Sequence, residues 1–238
     1  MIFTSSYISE TGPRRENEDA VEVWTSKKGV LFVAVADGLG GMGGGSTASS
    51  LAISTLRDVL ESTDADIDSL INAAKEAHDR ICRAQQEGVD LQKMATTLTV
   101  LAFSEGRILG VHTGDTRAAI ARRNGIKRLT KDHSEGQRLF DAGKLSKEEL
   151  RTYQRQHILE SALGDESDPI ISPIKFDLEI GDKVVITSDG VHGIIFLKEM
   201  RDMLADAFDV DEFVGLVGRR VRDRGPKDNY SIAAVFVE

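Results

Sequence analysis

The hexapeptide Leu31-Phe32-Val33-Ala34-Val35-Ala36 contains no polar residue and is followed at once by Asp37-Gly38. A strand this apolar has no face to offer water, so it must run inside a layered structure with cover on both sides. Val184-Val185-Ile186-Thr187-Ser188 followed by Asp189-Gly190 has the same form. Asp228-Asn229 precedes a third apolar run, Ile232 to Val237, and Glu18-Asp19 precedes Val21 to Thr25. Aspartate suits strands poorly and is costly to desolvate, so these acids fall where strands enter or leave a sheet. A turn or cap is the ordinary reading of any one of them. Several gathered at one mouth would repel unless cations sat between them, and oxygen ligands without a His/Cys cluster suit a hard ion such as Mg²⁺ or Mn²⁺. Spacing alone leaves both readings open.

The rest of the chain supplies the layers. Ile2 to Ser9 reads as a strand, and Val21 to Thr25 joins Leu31 to Ala36 through a turn at Lys27-Lys28-Gly29. Ala48, Leu51, Ala52, Leu56 and Leu60 recur at helical spacing, as do Ile67, Leu70, Ile71, Ala74, Ala77 and Ile81. Short strands follow over Thr97 to Phe103, Ile108 to Val111 and Arg117 to Arg122, with turn signals at Ser104-Glu105-Gly106 and Asn124-Gly125. Ser134 to Ala142 and Ser146 to Gln154 read as short exposed helices. Strands resume at Ile174 to Leu178 and Val184 to Thr187, then a helix over Val210 to Val221 and a last strand. This order lacks the strict alternation of a doubly wound sheet and fits antiparallel sheets packed face to face with helices outside.

The 238 residues include no linker-like stretch, so one domain over 1–238 is expected. Acidic residues outnumber basic ones, 39 to 30, which argues against a nucleic-acid binder. Cys82 is the only cysteine, no apolar run approaches the roughly 20 residues that span a bilayer, and the first ten residues lack a signal-peptide pattern. A cytoplasmic monomer that contacts neither nucleic acid nor membrane is expected. Gly38-Leu39-Gly40-Gly41-Met42-Gly43 matches the dinucleotide fingerprint literally. A second helix follows the first where that fold needs a strand, and Asp37 would face a pyrophosphate with the wrong charge, so nucleotide binding is rejected.

Taken in order, the segments resemble the metal-dependent protein phosphatases (PPM, the type 2C serine/threonine phosphatases), particularly short bacterial members. Gly12-Pro13-Arg14-Arg15-Glu16-Asn17-Glu18-Asp19 resembles the G-x-R-x-x-N-E-D opening, and Asp37-Gly38-Leu39-Gly40-Gly41 the D-G-x-G-G segment. Met94-Ala95-Thr96-Thr97 stands for M-G-T-T, Gly114-Asp115-Thr116-Arg117 for G-D-S-R, and Leu129 to Ser134 for L-T-x-D-H-S. Ala162-Leu163-Gly164, Ser188-Asp189-Gly190 and Asp228-Asn229 complete the series.

The resemblance implies an α+β fold, a four-layer α-β-β-α sandwich, with two Mn²⁺ or Mg²⁺ ions at one end. It assigns Asp37 to both ions and to orienting a bridging hydroxide, Glu18 and the Gly38 carbonyl to one ion, and Asp189 and Asp228 to the other. Asp115 matches the aspartate that helps hold a third, weaker metal; the other reading is a turn residue paired with Arg117. Arg14 matches the arginine that grips substrate phosphate, with Arg15 its competitor. Two cations about 4 Å apart acidify the bridging water, and no phosphoenzyme is needed. Substrates would be phosphorylated proteins, targets of a serine/threonine kinase.

Three departures stand out. Leu39 occupies the place of a histidine proposed elsewhere as general acid, Ala95 replaces a glycine, and His133 reads as structural. Residues 134–156 match a flap beside the site. A catalytically inactive regulatory module and a phosphodiesterase are the competing functions.

Overall fold

The computed structural model describes residues 1–40, 44–88, 91–104 and 106–238, so Gly41, Met42 and Gly43 of the glycine-rich segment and Glu105 of the expected turn lie outside the described residues. The chain runs β1 (Phe3–Glu10), β2 (Asp19–Thr25), β3 (Leu31–Leu39), α1 (Gly44–Leu60), α2 (Ile67–Ala84), β4 (Ala95–Thr96), β5 (Leu98–Ser104), β6 (Arg107–Thr113), β7 (Arg117–Arg122) and β8 (Gly125–Arg128). It continues through α3 (Glu135–Asp141), α4 (Lys147–Thr152), β9 (Ser172–Asp177), β10 (Lys183–Thr187), α5 (Asp189–His192), α6 (Leu197–Asp206), α7 (Val210–Asp223) and β11 (Tyr230–Val237).

Two antiparallel sheets form, one ordered β1-β11-β10-β7-β8 and the other β2-β3-β5-β6-β9 with β4 paired to the end of β3. Strand alternation distributes the apolar runs among three cores, one between each pair of adjacent layers. Phe32, Ala34 and Ala36 of β3 point to α1 and α2, where they meet Ala48, Ala52, Leu56 and Ile81. Val33 and Val35 point the other way, into the space between the sheets with Ile186, Ala233 and Val235. Ile232, Ala234 and Phe236 of β11 pack on Phe213, Val217 and Val221 of α7. The fold is thus the α+β, four-layer sandwich that the apolar runs require. Among the described residues no helix is long and apolar enough to cross a membrane.

Several boundaries differ from the sequence reading. β3 continues three residues beyond Ala36, because Asp37 pairs with Asp19 of β2, and Gly38 and Leu39 pair with Thr96 and Ala95 of β4. Asp19 and Asp37 therefore lie within strands rather than beside them, and Asp189 opens a helix rather than closing a strand. The β7–β8 turn is Arg123-Asn124, with Arg123 at φ 54° and Gly125 already opposite Arg122. β8, α5 and α6 were not expected. The short α6 ends where Lys183 Nζ caps the carbonyls of Leu204 and Ala207.

Phe32 is fully buried and its ring stacks on Trp24 with centroids 5.0 Å apart. Replacing it by alanine leaves a cavity between sheet and helices, and urea denaturation is expected to show a loss of about 3–5 kcal/mol with an unchanged m-value.

Candidate active site

One end of the sandwich opens into a cavity of about 280 Å³. Its lining includes Arg14, Glu18, Asp37, Gly38, Asp115, Asp189 and Asp228, together with Leu39, His157, Leu159 and Asn229. Every candidate site residue from the sequence therefore reaches one hollow, although the chain between the first and last is over two hundred residues long.

Backbone contacts fix each acid. Asp37 is held by Thr97, whose Oγ1 accepts from the Asp37 amide at 2.9 Å and whose amide donates to the Asp37 carbonyl at 2.9 Å. Thr96 Oγ1 donates to the same carbonyl at 3.0 Å, and Thr96 in turn exchanges both backbone bonds with Leu163. Ala95 sits in β4 without positive φ, so the missing glycine costs nothing there. Gly38 has no room for a side chain: a Cβ would stand 2.2 Å from the Gly45 carbonyl oxygen and 2.5 Å from that of Glu18. Gly190 is tighter still, at 1.9 Å from the Asn229 carbonyl oxygen, so the start of α5 can lie against β11 only as glycine.

Asn229 is the residue whose part the sequence did not reveal. Its Oδ1 accepts from the Glu18 amide at 2.9 Å, and its Nδ2 donates to the carbonyls of Thr11 (2.7 Å) and Glu16 (2.9 Å). One buried carboxamide thus wraps the β1–β2 loop, with Arg14 and Glu18 on it, around Asp228. Arg14 spans the same corner, donating from Nη2 to Asp228 Oδ2 at 2.6 Å and from Nε to the Lys227 carbonyl at 3.3 Å.

The carboxyls disturb one another. Burial, then Asp19, Asp189, Asp115 and Asp228, push the Asp37 carboxyl well above its ordinary value. Burial, with Asp189 and Asp132, raises Asp115 to about 7. Burial and the Asp228 charge raise Asp189, and burial and Glu16 raise Glu18. Asp19 was given no role by the sequence, yet it lies opposite Asp37 in the ladder and is raised to about 6, chiefly by burial, despite hydrogen bonds from Ser231 and Ser188. The Ser188 hydroxyl donates to Asp19 Oδ2 at 2.8 Å.

Among the described residues no three acidic, histidine or cysteine side chains already stand as ligands around one point. The carboxylates share a cavity rather than a finished coordination sphere. Their chemistry nonetheless fits hard divalent cations: the donors are oxygens, and neighbouring acids destabilise the Asp37, Asp115 and Asp189 anions in a way that a cation relieves. Asp115 lies in the turn between β6 and β7, but the expected pairing with Arg117 is not seen, since Arg117 pairs with Asp132 at 2.7 Å. His133 is held structurally, accepting from the Gly114 amide at Nδ1 (3.3 Å) with Nε2 2.9 Å from Ser172 Oγ.

The protein phosphatase 2C family profile matches residues 13–231. The chain is 30% identical over 240 residues to protein phosphatase PhpP of Streptococcus pneumoniae, an alignment covering 97% of this chain and 96% of that one. A serine/threonine phosphatase of S. agalactiae superposes with a TM-score of 0.91 over the full length of both chains at 26% identity. The catalytic domain of the serine/threonine protein phosphatase PstP, solved with two manganese ions, superposes with a TM-score of 0.86 at 27% identity over 99% of this chain and 98% of that one. The chain belongs to the protein phosphatase 2C family, and it is an enzyme.

The raised Asp115 has a measurable consequence in chelated protein. The folded state keeps a proton on Asp115 that the unfolded chain has shed, so this residue lowers stability progressively as pH rises from 3.8 to about 7. Asp115→Asn cannot ionise. Its melting temperature relative to the unsubstituted protein, measured in excess chelator, is expected to climb across that window and level off above it.

Proposed function

We propose that this enzyme hydrolyses phosphoserine and phosphothreonine in protein substrates with the help of bound divalent cations. The reading is carried by one observation: five carboxylates and an arginine fork, drawn from separate parts of a phosphatase 2C chain, line a single cavity. Asp37 would serve two ions, with Glu18 and the Gly38 carbonyl completing one site and Asp189 and Asp228 the other; Asp115 would serve a third. Mn²⁺ is the better first choice because a relative was solved with it. When bound, such ions acidify water enough to supply hydroxide near neutral pH and place positive charge against phosphoryl oxygens.

The chain's own groups do the positioning. Arg14 stands at the cavity wall with its guanidinium steered by Asp228 and the Lys227 carbonyl, and its Nη1 makes no hydrogen bond among the described residues. That leaves a donor for a phosphoryl oxygen, and the planar fork suits the oxyanion. Leu39 offers no proton to the leaving alkoxide. His157 and Leu159 also line the cavity, from the segment that follows the flap helices α3 and α4. Phosphoproteins, the targets of a serine/threonine kinase, are the partners in this reading, met by a single-domain monomer in the cytoplasm.

The test is release of phosphate from a phosphothreonine peptide with Mn²⁺ and with chelator. Turnover is expected only with metal, and a phosphomonoester is expected to outrun a diester. Absence of any turnover would favour the inactive regulatory module. Asp37→Asn and Asp189→Asn are each expected to reduce activity at least 100-fold, in line with loss of a charge-stabilising group, while circular dichroism stays native. Arg14→Ala is expected to act mainly on substrate capture, raising KM about tenfold or more with a smaller change in kcat; an unaltered KM would move the phosphate grip to Arg15.

A further inference from the structure

Asp132 belongs to none of the ligand sets above and does not line the cavity, yet it is buried and near enough for its charge to act on Asp115. Two guanidinium groups close on its carboxylate. Arg117 donates from Nε to both oxygens at 3.2 Å and from Nη2 to Oδ2 at 2.7 Å. Arg128 donates from Nη2 to Oδ1. Burial pushes the Asp132 carboxyl up, but the Arg117 and Arg128 charges outweigh it and hold the group below its ordinary value.

Arg117 has a second set of neighbours. It opens β7, two residues after Asp115, and lies opposite Thr187, two residues before Asp189. Its charge is felt at both carboxyls, offsetting part of what burial and their acidic neighbours do to them. Its side chain is a third exposed, and Nη1 makes no hydrogen bond among the described residues. A guanidinium so placed, if freed, would find two carboxylates within its surroundings and would pair with one of them through its fork. A divalent cation would then have to displace it.

We propose that Asp132 is a positioning residue that anchors the Arg117 guanidinium and so keeps it from closing on Asp115 and Asp189, leaving those carboxylates open to divalent cations. The inference rests on the metal reading above. It gives a reason why the Leu129 to Ser134 strap runs beside Gly114 to Arg117: Ala118 donates its amide to Thr130 Oγ1 at 3.0 Å, and His133 donates its amide to the Gly114 carbonyl at 2.7 Å. Those bonds bring Asp132 to Arg117, and the ion pair then fixes the arginine.

The experiment is a Mn²⁺ titration of the whole chain, following free ion by electron paramagnetic resonance, for the unsubstituted protein, Asp132→Asn, Arg117→Met and the double variant. Asp132→Asn is expected to weaken Mn²⁺ binding about tenfold or more, the usual effect of losing a residue that orients metal ligands, with phosphatase activity returning at higher Mn²⁺. Removing the arginine as well is expected to restore binding to within about twofold of the unsubstituted chain, close to the scatter of independent sites. Arg117→Met alone is expected to bind at least as tightly as the unsubstituted protein. Unchanged affinity in Asp132→Asn overturns the proposal, as does a double variant that binds no better than Asp132→Asn. If thermal melting shows Asp132→Asn unfolded because Arg128 is left unpaired, Arg117→Met decides: weaker binding overturns the proposal, and equal or tighter binding supports it. A chain that binds Mn²⁺ but leaves phosphopeptides intact defeats the phosphatase reading alone, whereas a chain that binds no Mn²⁺ defeats both.

Discussion

Repulsion among carboxylates at the mouth of the sandwich is the force against which the rest of this molecule is arranged. Burial already disfavours an ionised carboxyl, and here each acid also sits in the field of several others. Left to a flexible chain, such groups would separate. They stay together because the elements that carry them are bound into two packed sheets with an apolar cluster between them, from Val33 and Val35 to Ala233 and Val235. The stabilisation comes from the layers and the destabilisation is confined to one rim.

Confinement depends on backbone, not side-chain, attachment. Asp37 is inside a strand with both its amide and carbonyl engaged by Thr97. Asp189 begins a helical turn pressed on β11 through Gly190, and Glu18 takes its place from the Asn229 carboxamide. The backbones that carry these acids cannot move apart without breaking main-chain bonds, and a proton or a cation relieves the crowding without such movement.

The parts of the fold legible in the sequence were those whose signal is local. β3, β10 and β11 announce themselves as apolar runs, and α1, α2 and α7 carry apolar stripes several turns long. β8 is four residues with only Ile126 to anchor it, and α6 buries just Met200, Met203 and Leu204 among charged residues, too little periodicity to stand out. The extension of β3 through Asp37 was hidden because its partners, Asp19 and Thr96, are supplied from elsewhere in the chain. The same holds for Arg117, which looks from sequence like a partner for Asp115 but finds Asp132 fifteen residues on. The candidate site itself could be listed from motif order, yet Asn229, Asp19 and His157 gain their meaning only from what folding brings beside them.

The two walls of the cavity are built by different means, and this bears on how the site can vary. The acidic wall is sheet backbone, where Gly38 and Gly190 admit no side chain and any shift moves several carboxylates at once. The segment with His157 and Leu159 is held by a bridge from Leu159 to Ser134, by the Glu135 amide donating to the Ile158 carbonyl at 2.9 Å, and by ion pairs such as Arg155–Glu135 and Arg138–Glu160, whose arginines are more than half exposed. Exposed pairs of this kind contribute little to stability. Substitution of those exposed arginines therefore costs little, while a side chain at Gly38 or Gly190 collides with backbone on the sheet side. Room for variation lies with the exposed side chains beside His157 and Leu159, and the demand for charge compensation lies with the acidic wall.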